Sequence, residues 1–238
     1  QIIVEDTRKA ASIISSRFYD NPSKEIIIIG ITGTNGKTTT SYIIKECLNQ
    51  AGLKTAQIGT TGIIADGYKQ VKTLTTPDAI TLQKLLRTLV KQSFSHVVME
   101  VSSHAIEQFR VQNIDFNIVV FTNLSEEHLD YHGNMENYFH AKSKLLDLLN
   151  HKTGLAVINS DDTYGERLLE STRKPTLAFS KHNTKVLHFD NLNSEDSKIL
   201  GAISTEGTSY DINSELIGDF NKENILASVS VLHALKIP

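Results

Sequence analysis

The feature that most constrains the fold is a glycine-rich turn between an apolar run and a helix-forming segment. Glu25–Ile31 contains four consecutive isoleucines, which is typical of a strand buried on both faces of a sheet. Gly30–Thr38 follows and reads Gly-Ile-Thr-Gly-Thr-Asn-Gly-Lys-Thr, and a helix is predicted from Lys37 to Ala51. A strand, a glycine turn and a helix start in this order let backbone N–H groups converge on phosphate oxygens. The sequence therefore predicts a nucleotide phosphate loop.

This loop departs from the usual spacing of phosphate-binding loops. Counting back from Lys37, the first glycine of the common pattern would stand where Ile31 lies, between Gly30 and Gly33. Lys37 can still reach the terminal phosphates, and the hydroxyl of Thr38 can bind Mg²⁺. The loop alone indicates ATP or GTP and says nothing about a second substrate.

Strand and helix patterns alternate along most of the chain, which predicts an α/β fold: a mostly parallel sheet flanked by helices. Further strands are predicted at Thr55–Gly59, His96–Val101, Asn117–Phe121, Leu155–Ile158 and Pro175–Phe179. A helix is predicted at Thr7–Tyr19, with Ala10, Ile14 and Phe18 on one side. Another is predicted to begin at Thr76–Pro77, with Thr76 as its cap. Two more are predicted at Asn134–Asn150 and Asp162–Ser171. Ile63–Leu74 resembles a hairpin with its turn at Asp66–Gly67.

The character of the chain changes after Ser180. Short strands with polar turns predict a small antiparallel β subregion, at Lys185–Asp190, Ile199–Ser204 and Ser209–Ile212. A helix from Asn221 to about Lys236 closes the chain.

Composition limits the classes of function. The formal net charge is −3 over 238 residues, so no broad basic surface for nucleic acid is expected. No run approaches the length of a membrane span, which predicts no membrane insertion. A single cysteine, Cys47, favours a reducing, cytoplasmic setting. We expect the protein to be a monomer. The first residue is Gln1 and not Met, and no signal peptide follows, so we also expect the chain to be cut from a longer protein.

Polar groups follow two further predicted strands. Glu100 lies at the carboxyl end of His96–Val101, where a carboxylate beside the phosphate loop could hold Mg²⁺, or could simply face solvent. Phe121–Gly133 also begins at a strand end and is dense in groups that bind metal or phosphate. Within it, His128 could be oriented by Asp130, although a lone histidine is usually structural or exposed.

Lys142 lies in the middle of the apolar stripe of the predicted helix Asn134–Asn150, three residues after Phe139. One interpretation is that its amine extends to the surface. The other is that it is shielded from water, which lowers its pKa. A neutral amine can then react with CO₂ to form a carbamate, a carboxylate-like ligand for Mg²⁺.

Six motifs, in order over nearly the whole chain, resemble those of the Mur ligases, and most closely the branch that adds the third peptide residue. They are Gly33–Thr39, Glu100–His104, Thr122–Gly133, Ala141–Lys142, Asn159–Asp162 and Gly218–Asn224. Glu127 departs from the pattern, since the family usually has Asp before the histidine.

The resemblance implies a role for each motif. ATP phosphates would be bound by Gly33, Thr34, Asn35, Gly36, Lys37, Thr38 and Thr39, with Asn221 and Asn224 beside the adenine. One Mg²⁺ would be held by Thr38 and Glu100, and a second by His128 and Lys142 as N6-carboxylysine. Thr75, Thr76, Ser102, Gln108 and Arg110 match positions that contact the UDP-muramoyl peptide. Lys37, Glu100, His128 and Lys142 would be catalytic, while Ser103–His104 is interpreted as site architecture.

The implied reaction joins an amino acid to UDP-N-acetylmuramoyl-L-alanyl-D-glutamate through an acyl phosphate, in peptidoglycan synthesis. Residues 1–20 would end a uridine-binding domain and its linker, and residues 21–238 would form the central ATP-binding domain. The pocket for the amino acid would lie in a third domain beyond this chain. The sequence therefore leaves that amino acid undetermined, and this part alone is expected to bind ATP weakly and catalyse poorly.

Three alternatives remain open at the level of sequence. A related ligase could act on another acceptor, as folylpolyglutamate and cyanophycin synthetases do, although those should lack the block from Ser102 to Arg110 in this form. A P-loop kinase or GTPase would transfer phosphate without forming an amide. A non-catalytic nucleotide-binding subunit is the third, and it would have no need to retain Lys37, Glu100, His128 and Lys142 together.

Overall fold

A computed structural model describes residues 3–68, 74–195 and 198–237. Its main sheet has seven strands in the order β3-β2-β4-β1-β5-β6-β7, parallel throughout except for β3, which pairs antiparallel with β2. The strands are β1 Ile27–Thr32, β2 Thr55–Gly59, β3 Gly62–Ile64, β4 His96–Glu100, β5 Ile118–Phe121, β6 Leu155–Asn159 and β7 Thr176–Phe179. The predicted parallel α/β sheet is confirmed.

Helices cover both faces of this sheet. They are α1 Thr7–Phe18, α2 Lys37–Gln50, α3 Ala79–Lys91, α4 Ser103–Glu107, α5 Leu129–His132, α6 Met135–Ser143, α7 Thr163–Ser171 and α8 Asp219–Ala234, with short 3-10 turns at Pro22–Lys24 and Lys144–Leu148. Because side chains alternate along a strand, Ile28 packs in the core under α3, α6 and α7, while Ile29 packs in the opposite core under α2 and α8. The continuous isoleucine run thus supplies both layers.

The predicted antiparallel subregion is a separate three-stranded sheet in the order β10-β9-β8. Its strands are β8 His188–Glu195, β9 Lys198–Thr205 and β10 Thr208–Ser214. Ile199 and Ile203 of β9 are buried in the same core as α8. The small sheet therefore packs on the α2–α8 side of the molecule.

The N-terminal helix is oriented opposite to the sequence prediction. Ile14 and Phe18, placed on the packed side by their spacing, are 62% and 76% exposed. Ser12, Ser15 and Ser16 are buried instead. Their hydroxyls form hydrogen bonds with the backbone carbonyls of Ala79 and Asn113 and with the side-chain amide of Asn113. Because serine side chains are small and their hydroxyls are hydrogen-bonded, α1 can pack closely against α3 through its serine side. This packing decided the orientation of the helix against the spacing of its apolar residues.

Other boundaries also differ from the prediction. The cap of α3 is Asp78, whose carboxylate accepts from the N–H groups of Ile80 and Thr81, and not Thr76, whose hydroxyl is engaged elsewhere. The helix predicted to reach Asn150 ends at Ser143 and continues as a 3-10 turn.

The predicted hairpin is only partly observed. Its first strand pairs with β2 through a turn at 60–61, and residues 69–73 of its second half lie outside the described residues. The short helices α4 and α5 were not predicted.

Candidate active site

The glycine turn lies between β1 and α2 at the carboxyl edge of the sheet, held by the segment that follows β5. The backbone N–H groups of Thr34 and Asn35 donate to the carbonyl and side-chain oxygen of Asn123, both at 2.9 Å. Thr122 Oγ1 donates to the carbonyl of Asn35 at 2.7 Å. Gly36 takes a left-handed conformation with φ +86° as the N-cap of α2. The first N–H groups of α2 have no partners within the helix, which suits an anion.

Lys37 bends back over this turn. Its Nζ donates to the carbonyls of Gly33 at 2.9 Å and Thr34 at 2.7 Å. Burial lowers the pKa of Lys37, while Glu100 and Glu127 act in the opposite direction. The ammonium group is therefore held at the turn that would receive phosphate.

Glu100 is fully buried, which excludes the alternative of a solvent-facing strand end. Thr38 Oγ1 donates to its Oε2 at 3.0 Å. The backbone N–H and the hydroxyl of Thr60 donate to Oε1 and Oε2, each at 3.0 Å. Sequence analysis missed Thr60, although its position just after β2, at the same sheet edge as Glu100, was a usable signal.

Lys142 is only 2% exposed, so the alternative in which its amine reaches the surface is wrong. Its Nζ donates to the carbonyl of Gly33 at 2.8 Å and lies 4.7 Å from the ring centroid of Tyr138. Burial, with a smaller contribution from Lys37, lowers the pKa of Lys142 to about 7. A substantial fraction of its amine is therefore neutral near pH 7.

His128 is at the exposed rim of the site. It takes a left-handed conformation with φ +55°, and its Nε2 lies 3.7 Å from Oε2 of Glu127, which pairs with it in place of the predicted Asp130. Within residues 3–68, 74–195 and 198–237, no three His, Cys, Asp or Glu side chains are grouped to hold a metal ion. A second ion near His128 would therefore need a ligand besides a cluster of these four residue types.

A buried polar chain links α4 and α6 to the phosphate turn. His132 Nε2 lies 2.9 Å from Ser103 Oγ, and the His132 ring stacks on Tyr138 at 4.9 Å. The hydroxyl of Tyr138 lies 3.4 Å from Thr34 Oγ1. Ser103 thus pairs with His132 and not with its neighbour His104, which agrees with a role in site architecture.

The residues predicted to contact the acceptor are brought together beside Glu100. Arg110 Nη1 donates to the carbonyl of Thr76 at 2.8 Å, and Gln108 Oε1 accepts from Arg110 Nε at 3.1 Å. Thr76 Oγ1 donates to the backbone carbonyl of Glu100 at 2.9 Å and accepts from Ser102 N at 3.1 Å. Arg110 and Gln108 also line a cleft of about 290 Å³.

The two asparagines of α8 pack beneath the phosphate turn. Asn224 Oδ1 accepts from Thr40 Oγ1 at 3.3 Å, and its Nδ2 donates to Asn221 Oδ1 at 2.9 Å. A Cβ on Gly36 would clash with Asn224 Oδ1, so the turn rests directly on this side chain. Thr39, in the first turn of α2, is half-buried.

A second cleft, of about 260 Å³, opens on the other side of the turn. It is lined by Asn35, Asn123, Ser125, Asp161 and Glu223, among others. This cleft adjoins the glycine turn at Asn35, whereas the cleft at Arg110 is lined by residues outside that turn. Among the residues that the structure describes, no helix is both long and apolar enough to cross a bilayer.

Comparisons with known proteins agree with this arrangement. Residues 31–232 match the model of the Mur ligase middle domain. The UDP-N-acetylmuramoyl-L-alanyl-D-glutamate--2,6-diaminopimelate ligase of Thermosynechococcus vestitus is 39% identical over 240 residues, which span 100% of this chain and 48% of the relative. The ligase of the same name from Aquifex aeolicus is 41% identical over 236 residues, 96% of this chain and 47% of its own length. The chain thus spans about half the length of these curated relatives.

Solved structures give the same fold. A UDP-N-acetylmuramoyl-L-alanyl-D-glutamate--2,6-diaminopimelate ligase superposes with a TM-score of 0.86 at 28% identity, over 100% of this chain and 49% of that one. MurF from Acinetobacter baumannii superposes with a TM-score of 0.77 at 19% identity, over 99% of this chain and 48% of that one. A mutant of L. casei FPGS superposes with a TM-score of 0.72 at 14% identity, over 100% of this chain and 65% of that one. The last two likenesses, below 25% identity, show the fold alone.

Proposed function

This chain belongs to the Mur ligase family, and on that basis we propose that it is the nucleotide-binding part of an ATP-dependent amino acid ligase of peptidoglycan synthesis. The acceptor would be UDP-N-acetylmuramoyl-L-alanyl-D-glutamate. The relatives' names favour 2,6-diaminopimelate as the amino acid added. The observation that carries the proposal is the convergence of Lys37, Lys142 and the buried Glu100 on one glycine turn.

The site would bind ATP at the turn. The first N–H groups of α2 and the Lys37 ammonium are placed for the phosphates, and the cleft along Asn35 and Asn123 leads away from them. Asn221 and Asn224 support the turn from below, and in this proposal their segment also lies beside the adenine. Residues Gly33 to Thr39 form the phosphate site in this proposal.

The donor atoms present fit magnesium. Thr38 and Glu100 offer hard oxygen ligands, which Mg²⁺ prefers. A second ion would be held by His128 and Lys142 once the lysine is carbamylated. In that step the neutral amine forms an N–C bond to CO₂ and releases one proton, leaving a carboxylate. When bound, the ions neutralise phosphate charge.

The chain's own residues then align the acceptor. An acceptor carboxylate oxygen attacks the γ-phosphorus, the bond from phosphorus to the ADP oxygen breaks, and ADP leaves. The amine of the amino acid then attacks the acyl carbon, phosphate departs, and one proton is released as the amide forms. Arg110, fixed by Thr76 and Gln108, can pair with an anionic group of the acceptor. Alignment and charge neutralisation are the main contributions expected of such a site.

We place the reaction in the cytosol with the protein acting as a monomer. The pKa of the half-buried Cys47 is raised by burial, so its thiol stays protonated and unreactive at neutral pH. This agrees with a structural cysteine in a reducing compartment.

The test is phosphate release from ATP by the full protein that contains this chain. We expect release to need both the UDP-muramoyl dipeptide and an amino acid, with 2,6-diaminopimelate favoured over lysine. Lys142→Ala should lose most activity, and a small carboxylic acid should partly restore it. Lys144→Ala, at a half-exposed lysine on the same helical segment, is the matched control and should stay active.

Other outcomes would identify the rivals. A fully active Lys142→Ala protein would remove the carbamate from the mechanism. Amide formation with a different acceptor would place the protein among the related ligases. Stable transfer of phosphate to an acceptor without any need for an amine would make it a phosphotransferase.

A further inference from the structure

Thr60 follows the last residue of β2 and makes two hydrogen bonds to one carboxylate. Its backbone N–H donates to Glu100 Oε1 and its hydroxyl to Glu100 Oε2, both at 3.0 Å. The side chain remains at the exposed rim of the site. Thr60 therefore connects a surface accessible to substrate with the buried carboxylate.

Counting protons gives this connection a direction. A threonine hydroxyl has a single proton to donate, and the Thr60 proton goes to Glu100. The oxygen of Thr60 also lies 3.3 Å from Thr75 Oγ1. At that contact Thr60 can only accept, so Thr75 must donate. The hydrogen bonds thus run from Thr75 through Thr60 to Glu100.

The carboxylate has little freedom to leave this arrangement. A Cβ on Gly59 would clash with Glu100 Oε1, so the backbone of β2 lies directly against it. The hydroxyls of Thr38 and Thr60 both reach Oε2. If Thr38 and Glu100 bind a metal ion together, Thr60 is the neighbour that holds both oxygens of the carboxylate, Oε1 through its backbone N–H and Oε2 through its hydroxyl.

We propose that Thr60 is a positioning residue that orients Glu100 for the metal–nucleotide complex and joins it to the acceptor-side threonine Thr75. This inference rests on the proposed function, in which Glu100 is a metal ligand. A hydrogen-bonded partner of a metal-binding carboxylate typically changes metal affinity by about 10–100-fold when removed. The hydroxyl of Thr60 is such a partner, while its backbone bond survives a side-chain substitution.

The experiment measures Mn²⁺ binding to the full protein in the presence of a non-hydrolysable ATP analogue, from the electron paramagnetic resonance signal of free Mn²⁺. Thr60→Val should weaken Mn²⁺ binding about tenfold. Binding of the analogue without metal should not change. Thr60→Ser, which keeps the hydroxyl, should restore Mn²⁺ binding. Thr176→Val makes the same chemical change at an exposed position at the amino end of β7, and should bind Mn²⁺ as the unaltered protein does.

Glu100→Gln distinguishes a failure of the proposed metal site from a failure of the proposed role of Thr60. If Glu100→Gln binds Mn²⁺ as well as the unaltered protein, the proposed metal site is wrong. If Glu100→Gln weakens binding and Thr60→Val does not, only the role of Thr60 is overturned. An equal loss in Thr60→Val and Thr60→Ser would also overturn it, because the hydroxyl would then not be what matters.

The link to Thr75 is tested by a double-mutant cycle on the same signal. If the hydrogen bonds form one chain, Thr75→Val should weaken Mn²⁺ binding in the unaltered protein and have little further effect in Thr60→Val. Losses that simply multiply would show that Thr75 and Thr60 act independently and would overturn the coupling.

Discussion

Two buried ionisable residues at the carboxyl edge meet opposite surroundings. Glu100 accepts hydrogen bonds at both carboxyl oxygens, from Thr38 and Thr60. Lys142 has a carbonyl and an aromatic face for partners, with Lys37 nearby, and the charged amine is disfavoured there. The same edge therefore holds a carboxyl group that is hydrogen-bonded at both oxygens and a lysine whose pKa is lowered to about 7.

The lowered pKa of Lys142 predicts a pH-dependent stability. Between about pH 7 and the ordinary value of 10.5, the unfolded chain binds one more proton at this position than the folded chain, so stability rises with pH. Below about pH 7 both states are protonated and the contribution is flat. In buffer freed of CO₂, we expect the free energy of unfolding to gain about 2 kcal/mol more from pH 7.5 to 9 than in Lys142→Met. Denaturant titrations at the two pH values measure this difference.

Lys144→Met provides the control for this pH effect. Its side chain is about half exposed, so Lys144→Met should not reproduce the change in slope that is expected for Lys142→Met. Equal slopes for Lys142→Met and the unaltered chain would contradict the lowered pKa.

At the scale of elements, the site depends on one turn between β1 and α2 being held by the segment after β5. Thr122 and Asn123 bond to the backbone of Thr34 and Asn35 on that turn. The two segments also approach closely at Gly33, where an added Cβ would clash with the Thr122 hydroxyl oxygen. The glycine turn is therefore shaped by the segment after a neighbouring strand as well as by its own glycines.

Gly33→Ala is expected to destabilise the chain and to abolish nucleotide binding. Its φ of +145° is unfavourable for alanine, at a cost of roughly 1–2 kcal/mol. The clash with Thr122 adds about 1–3 kcal/mol of overpacking. Thermal unfolding and titration with a fluorescent ATP analogue measure the two effects.

Gly207→Ala is the matched control for Gly33→Ala. Gly207 has a φ of +76°, but an added Cβ would meet no atom within 4 Å. It should therefore show the backbone cost alone and bind nucleotide normally. If the two variants unfold at the same temperature, the close approach at Gly33 has no energetic consequence.

At the scale of the whole molecule, clefts lie at both edges of the sheet. The carboxyl edge has the cleft of about 260 Å³ that adjoins the glycine turn at Asn35 and the cleft of about 290 Å³ at Arg110. A more voluminous cleft of about 720 Å³ lies at the amino edge, between Ile27, Ser95 and Asn117. Volume alone would favour the amino edge, but the glycine turn, Lys37 and Glu100 are all at the other. Ligands of open parallel sheets bind at the carboxyl ends of strands.

Hydrogen exchange can show at which edge of the sheet the nucleotide binds. We expect added ADP and Mg²⁺ to slow amide exchange in residues 33–38 and 123–125, where backbone groups surround the proposed phosphate site. Residues 150–154, beside the amino-edge cleft, should exchange at the same rate with and without ADP. Protection confined to residues 150–154 would move the nucleotide to the amino edge and contradict the proposed site.

The sequence by itself determined the parts of this protein that depend on neighbours along the chain. The isoleucine run, the glycine turn and the start of α2 lie within about fifteen residues, so their order predicted a phosphate loop, and the alternation of strands and helices predicted the parallel sheet. The anomaly of a lysine in an apolar stripe was also visible locally at Lys142. Local pattern failed where packing between distant segments decided, as on α1, where buried serines replaced the apolar side.

Only the tertiary structure decided which partners the site residues have. Thr38 and Glu100 are 62 residues apart, and Lys142 lies 109 residues from the Gly33 carbonyl that it contacts. Whether a buried polar group is charged depends on such partners and on the exclusion of water, and neither is encoded in the spacing of residues along the chain. For that reason the sequence indicated Glu100 and Lys142, while the fold showed that one is held by Thr60 and that the other lies on Tyr138.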